Sequence, residues 1–137
     1  MTAAEFKARP RRKTRNDDPE HRLQVACVKW FRMQYRQYAN LLFAIPNGGK
    51  RNAITAARLK AEGVTAGVPD LFLAKPAISG RFSIQDDYGL FIEMKVGKND
   101  STPAQKQMQS DLRNQGYAVA VCRSLEEFIE VVENYLK

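Results

Sequence analysis

The chain has 137 residues, of which 44% are hydrophobic and 9% aromatic, and this composition is enough for one compact domain with a single core. Its formal charge is +7, from 22 lysines and arginines against 15 acids, which favours a polyanionic partner such as a nucleic acid or an anionic membrane surface. There is no run of roughly 18 apolar residues to span a membrane and no apolar N-terminal leader, so we expect a soluble cytoplasmic protein without a membrane partner. Cys27 and Cys122 each lie in an apolar stretch, and we expect both to pack in the core.

Residues 1–18 form the first distinct segment of the chain. They contain six basic residues against three acids and show no apolar periodicity, so we predict a basic N-terminal arm followed by a domain over residues 19–137. Such an arm is either a solvated tail or a segment that lies along a phosphate backbone or a partner subunit.

Helix and strand signals alternate after the arm. Asp18 precedes Pro19 as a helix cap would, and Gly63 and Gly116 each end a helical pattern. Trp30, Phe31 and Phe43 lie at core spacing. The predicted elements are a helix from Pro19 to near Tyr38, a strand at 41–45, a helix at 53–62, strands at 70–74 and 89–96, a helix at 102–115, a strand at 117–122, and a helix at 124–137. This order predicts an α/β fold with a mixed central sheet of about four strands flanked by helices, without an internal repeat.

The strand GLFIEMKVG contains two charged residues, Glu93 and Lys95, which are two positions apart and therefore share one face. Burying a charge costs several kcal/mol unless it is paired or coordinated. Either this face is exposed on an edge strand, or the charges belong to a site. If the strand headed by Asp70 is a neighbour, the Asp70 and Glu93 carboxylates and the Met94 backbone carbonyl can converge on one hard cation such as Mg²⁺, with Lys95 beside the attacking water.

The loop PNGGKR, residues 46–51, carries a second signal. Gly48 and Gly49 allow the backbone to approach a ligand closely, and Lys50 and Arg51 present positive charge next to it. This combination suits DNA binding, and Arg58 on the following helix either extends the positive surface or is simply solvated. The spacing is not that of a nucleotide-binding P-loop, so we predict no nucleotide cofactor.

Pro69-Asp70 at the head of one strand and Glu93-Met94-Lys95 in the next follow the pattern of the PD-(D/E)XK nuclease superfamily. The further order of Glu20 on the first helix, PNGGKR, GVPDLFL at 67–73, FIEMK at 91–95 and PAQ at 103–105 closely resembles the VRR-NUC family, especially its stand-alone, phage-type members. The resemblance covers about residues 19–123. It implies a restriction-endonuclease-like core and a bacterial or phage-infected host cell.

The resemblance also implies roles for individual residues. Asp70 and Glu93 correspond to the metal-binding carboxylates, Lys95 to the catalytic lysine, Glu20 to a helical acid of the same site, and Gln105 to a glutamine that supports the site by hydrogen bonding. Glu20 is either a catalytic ligand or an N-terminal stabiliser of its helix. Gln105 has an alternative as a surface residue, and Gln107, Gln109 and His21 are expected to face solvent.

The function implied is a Mg²⁺- or Mn²⁺-dependent endonuclease, with one or two metals per site, that hydrolyses DNA as a homodimer and prefers branched substrates such as four-way (Holliday) junctions. Two alternatives remain open: a module that binds branched or duplex DNA without cutting it, and a nuclease directed at RNA.

Overall fold

A computed structural model describes residues 2–7, 18–46, 52–77 and 87–137. The helices are α1 (Ala3–Lys7), α2 (Pro19–Gln34), a short 3₁₀ helix (Arg36–Leu41), α3 (Ala53–Ala61), α4 (Pro103–Asn114) and α5 (Leu125–Tyr135). The strands are β1 (Leu42–Ala44), β2 (Leu71–Leu73), β3 (Leu90–Met94) and β4 (Ala118–Cys122). No described helix has the length and apolar character needed to cross a membrane.

The strands form one sheet in the order β1-β2-β3-β4. β2 is antiparallel to both β1 and β3, and β4 runs parallel to β3. A parallel pair requires a crossover, and α4 provides it between β3 and β4. The predicted mixed α/β sheet of four strands is therefore confirmed. The strand headed by Asp70 is a neighbour of the strand that carries Glu93, which is the condition for a shared site.

One face of the sheet forms the main core against α2 and α5. Trp30 and Phe31 of α2 and Phe128 of α5 are fully buried there, and the Trp30 and Phe128 rings meet edge to face with centroids 6.2 Å apart. Cys27 and Cys122 are both buried as free thiols in this core, as predicted. Burying such large apolar side chains contributes roughly 1.5–3 kcal/mol each, so this face holds α2 in position.

The opposite face carries a row of aromatic rings. The rings in contact along it are Phe43, Phe72, Phe91, Tyr117 and Tyr88. Phe43 contacts Phe72 with ring centroids 5.7 Å apart, but 43% of Phe43 is exposed. Phe43 therefore packs less completely than its spacing predicts, because β1 is an edge strand and no described element covers this end of the face.

The end of α2 differs from the prediction. The helix ends at Gln34, and Tyr35 leaves helical geometry with φ −120° and ψ 68°. The Tyr35 ring then packs against Phe31 and Trp30, with centroid distances of 5.3 and 5.9 Å. The last predicted turn, up to Tyr38, is part of a 3₁₀ helix instead, and this leads the chain directly into β1.

Part of the basic arm is helical. In α1, Ala3 and Phe6 pack against the core, and the Lys7 ammonium contacts the Glu126 carboxylate of α5. Residues 8–17 lie outside the described residues, and the arm's boundary at residue 18 remains a prediction.

Candidate active site

Asp70 and Glu93 face each other at the end of the β2–β3 ladder. The register pairs Leu71 with Ile92, so Asp70, one residue before β2, lies opposite Glu93. Residues directly opposite in an antiparallel pair project to the same face. The carboxylate of Asp70 is also anchored, because its Oδ2 accepts a hydrogen bond of 2.7 Å from the Met94 backbone N–H.

The segment before Asp70 is held against the start of α4. Gly67 has φ +88°, and a Cβ built on it would lie 2.6 Å from the Ala104 carbonyl oxygen. Only glycine combines this backbone conformation with such a close approach. Pro69 is buried next to it, so the loop delivers Asp70 to the sheet from a fixed direction.

Glu93 is buried, with 1% of the residue exposed. Its Oε1 accepts a hydrogen bond of 2.9 Å from Gln105 Nε2 and lies 3.9 Å from Lys95 Nζ. Its Oε2 is buried and has no hydrogen-bond donor among the described residues. Burial, followed by the neighbouring Asp70 carboxylate, raises the pKa of Glu93 to about 8, while Lys95 opposes the increase. The site therefore holds an acid that is costly to ionise until a further positive charge compensates it.

Lys95 lies on the same face as Glu93, and its side chain is only 10% exposed. Its backbone N–H donates to the Cys122 carbonyl of β4, which continues the β3–β4 pairing past the end of β3. This bond fixes the backbone at Lys95, whose ammonium lies 3.9 Å from the Glu93 carboxylate. The reading of Glu93 and Lys95 as an exposed pair on an edge strand is wrong, because β3 is a central strand and both residues are buried.

Gln105 occupies the third position of α4 and makes hydrogen bonds in two directions. Its side-chain oxygen accepts from the Thr102 N–H at 2.8 Å, and the Thr102 hydroxyl accepts from the Gln105 N–H, which forms a capping box. Its amide nitrogen donates to Glu93. The structure therefore places Gln105 at the site, where it holds the orientation of the Glu93 carboxylate.

Glu20 lies in the first turn of α2, where Asp18 caps the helix by accepting from the Glu20 N–H at 2.9 Å. Burial raises the pKa of Glu20, the Asp70 charge adds to this, and Lys95 opposes it. Glu20 is thus electrostatically coupled to the site. Within the described part of the chain, however, no group of three or more His, Cys, Asp or Glu side chains is arranged as a ready-made metal site.

The remaining predicted contacts are less closely connected with this centre. Arg58 is 80% exposed, and its Nε lies 3.5 Å from a Glu62 carboxylate oxygen. Gly48, Gly49, Lys50 and Arg51 lie outside the described residues.

Gln109 was expected in solvent, and this expectation is wrong. Gln109 is 6% exposed and donates a hydrogen bond of 3.1 Å to the Ser101 hydroxyl. The spacing contains the signal, because Gln109 is one helical turn after Gln105 and so shares its inward face. Gln107 and His21 are exposed, as predicted.

Comparison with known proteins decides the family. The VRR-NUC domain model matches residues 8–126, which is most of the chain. The chain belongs to the VRR-NUC family. A solved structure described as a VRR_NUC domain protein is similar over 88% of this chain and 90% of its own, with 27% sequence identity and a TM-score of 0.69. No curated protein matches the chain.

Membership of the VRR-NUC family makes this chain a nuclease of the PD-(D/E)XK type. Nucleases of this type typically use divalent metals. The half-buried Asp70 carboxylate and the buried Glu93 carboxylate, with Lys95 and Gln105 next to Glu93, form the candidate site of this VRR-NUC domain.

Proposed function

We propose that this VRR-NUC domain is a Mg²⁺- or Mn²⁺-dependent endonuclease that hydrolyses DNA phosphodiester bonds, with branched DNA such as four-way junctions as its preferred substrate. The observation that carries the proposal is the buried Glu93 carboxylate, which has a raised pKa and an oxygen without a donor among the described residues, next to Asp70 and Lys95.

The donor set fits a hard divalent cation. Asp70 and Glu93 offer carboxylate oxygens, which Mg²⁺ and Mn²⁺ prefer. The N–H and C=O of one strand residue point to the same side, and the Met94 N–H points at Asp70. The Met94 carbonyl is therefore directed to the same side as a third oxygen. Glu20 would act from the first turn of α2, within electrostatic range of Asp70.

Individual residues of the site contribute to hydrolysis in different ways. When bound, the metal polarises a phosphoryl oxygen and stabilises the leaving oxyanion. Asp70 and Glu93 would hold it, and Gln105 fixes the Glu93 carboxylate by its hydrogen bond. The Lys95 ammonium, held 3.9 Å from Glu93 Oε1, can donate to the attacking water or to a phosphate oxygen and offset the negative charge.

We also propose that the nuclease acts as a homodimer. A four-way junction presents paired scissile strands, and a two-fold dimer can engage both in the same way. Phe43 and Tyr88, which are 43% and 65% exposed, provide apolar surface that such a contact could bury.

The test is a cleavage assay over linear, flap, fork and four-way DNA and matched RNA, in Mg²⁺ and Mn²⁺, for the wild type and for Asp70→Asn and Lys95→Met. Asp70→Asn retains an oxygen to accept from the Met94 N–H, and Asp111→Asn on the exposed surface of α4 is the matched control. We expect cleavage of branched DNA by the wild type and the control, no cleavage by the site variants, and retained binding of all four proteins in Ca²⁺. Binding without cleavage by the wild type would favour the non-cleaving module. Preferential cleavage of RNA would show that the substrate is RNA.

A further inference from the structure

A groove runs along one side of α2 from the candidate site towards the edge of the sheet. Its volume is about 490 Å³, and its described lining comes from α2 and the cap residue Asp18. Polar residues line one end, an apolar pair lies in the middle, and two cations line the other end: Asp18, Glu20, His21 and Gln24, then Val25 and Val28, then Lys29 and Arg32. Glu20 is the one residue of the candidate site in the described lining, so the groove adjoins the site at the start of α2.

Charge is separated along this groove. The two carboxylates, Asp18 and Glu20, are in the first turn or its cap, while Lys29 and Arg32 are in the last two turns. Among the described residues, no carboxylate lies within ion-pair distance of Lys29 or Arg32, and both are exposed. The Arg32 guanidinium is steadied at the sheet edge by a hydrogen bond of 3.4 Å to the Leu42 carbonyl.

We propose that this groove binds the nucleic-acid strand that flanks the scissile phosphate, with Lys29 and Arg32 neutralising its phosphates. The inference rests on the proposed function for the direction of the strand. Its ligand is a polyanion, because Glu20 would face the bound cation, while Lys29 and Arg32, which no described carboxylate neutralises, lie at the opposite end of the groove. The apolar middle, formed by Val25 and Val28, suits the sugars between the phosphates.

The spacing along the helix axis gives the approximate position of these phosphates. A helix rises about 1.5 Å per residue, so Lys29 and Arg32 lie roughly 14 and 18 Å along α2 from Glu20. One strand of a duplex carries a phosphate about every 3.4 Å along the axis. A strand lying along α2 therefore presents phosphates on the order of four to five nucleotides from the scissile bond to Lys29 and Arg32.

The first experiment measures binding of a four-way junction in Ca²⁺, so that no cleavage occurs, by Lys29→Gln and Arg32→Gln. Arg113→Gln, at the far end of α4 from Gln105, is the control with the same charge change. Each groove variant should lose about fivefold to tenfold in affinity at about 0.1 M salt, and the slope of log affinity against log salt should flatten by about 0.9. The control should show a smaller change in slope. Equal losses for all three variants would reduce the effect to net charge and overturn the proposal.

The second experiment replaces single phosphates by uncharged methylphosphonates on either side of the cleavage position. The wild type should lose affinity at one or two positions about four to five nucleotides away, on one side only. The groove variants should lose nothing further at those positions, because the contact is already absent. Additive losses at every position would refute the strand path.

The two proposals can fail separately. Binding in Ca²⁺ and the methylphosphonate pattern do not depend on hydrolysis. Both measurements therefore test DNA binding in the groove even if the protein is catalytically inactive. Conversely, if the protein cleaves DNA but its groove variants bind DNA like the wild type, the proposed function stands and the groove proposal is refuted. If those variants changed only the solution mass, the groove would be a contact between copies of the chain.

Discussion

Gln105 links the start of α4 to Glu93. Its side-chain oxygen accepts from the Thr102 N–H at 2.8 Å, and its amide nitrogen donates to Glu93 Oε1 at 2.9 Å. A single side chain therefore both begins the helix and aims the carboxylate. The two roles can be separated, because a glutamate at this position of a capping box can still accept from the Thr102 N–H but cannot donate when ionised.

Gln105→Glu is expected to retain the fold and lose activity. The new carboxylate keeps the helix cap, but it faces Glu93 as a like charge and raises the pKa of Glu93 further. Residues that orient metal ligands typically account for about 10–100-fold in affinity or activity, so cleavage should fall by about that factor while the thermal midpoint changes little. Thr102→Ala is the converse control. It removes about 1 kcal/mol of helix capping and leaves the hydrogen bond from Gln105 to Glu93 in place. A larger loss of cleavage in Thr102→Ala would contradict this division.

The stability of the metal-free protein should depend on the protonation of Glu93. The pKa of Glu93 is raised from 4.5 to about 8, so between these values the folded chain keeps a proton that the unfolded chain has released. The free energy of unfolding should therefore fall as the pH rises through this range, by on the order of a few kcal/mol. Urea unfolding in the presence of a chelator measures it.

Glu93→Gln is the control for this pH dependence, because the amide does not titrate. Most of the decline should disappear in this variant. A weaker decline of the same sign should remain, since the pKa of Glu20 is also raised. An unchanged pH profile in Glu93→Gln would show that Glu93 is not the group responsible.

Metal binding should show the opposite pH dependence. A divalent cation must displace the proton held by Glu93, so affinity should rise with pH by up to tenfold per unit until about 8, where Glu93 ionises in the folded chain. Calorimetry with Mn²⁺ in buffers of different ionisation enthalpy should detect about one proton released per ion at lower pH. Asp70→Asn should abolish this binding, and affinity independent of pH would contradict the placement of the metal at Glu93.

The sequence predicts the core of this arrangement because the signals are local. Two charges at positions of equal parity in an apolar strand lie on one face, whatever the tertiary structure. Asp70 at the head of the preceding strand then lies opposite Glu93 if the strands pair as neighbours, which they do. The helix cap at Asp18 depends on a residue within three positions, and it is found.

What the sequence did not predict depends on tertiary packing. Gln109 is a polar residue by composition, and its burial follows from the packing of the α4 face that it shares with Gln105, which only its spacing indicates. The end of α2 is set by the packing of the Tyr35 ring on Phe31 and Trp30, which exceeds the weak preference for another helical turn. The groove along α2 likewise cannot be predicted from the sequence, because it depends on where α2 lies relative to the site.

The aromatic face leads to a prediction about assembly. If Phe43 and Tyr88 are buried between two copies, replacing both with serine should convert a dimer into a monomer while the main core on the other face remains intact. Light scattering across a concentration series measures the mass, and circular dichroism checks the fold. Replacement of Ile54, which is 83% exposed on α3, is the control for a lost surface apolar residue. A dimer that survives the double substitution would place the interface elsewhere.

The approach of the loop before Asp70 to α4 can be tested with two glycines. Gly67 and Gly63 have φ values of +88° and +104°, so alanine is strained at both, by about 1–2 kcal/mol. They differ in their surroundings, because a Cβ on Gly67 would lie 2.6 Å from the Ala104 carbonyl oxygen and a Cβ on Gly63 meets nothing within 4 Å. Gly63→Ala should therefore cost stability alone. Gly67→Ala should cost a further 1–3 kcal/mol or so from the clash, and it should also reduce cleavage, because a displaced α4 moves Gln105 away from Glu93. Chemical denaturation and cleavage assays on both variants separate backbone strain from displacement of α4. Equal effects of the two substitutions would mean that the contact between Gly67 and Ala104 does not position the site.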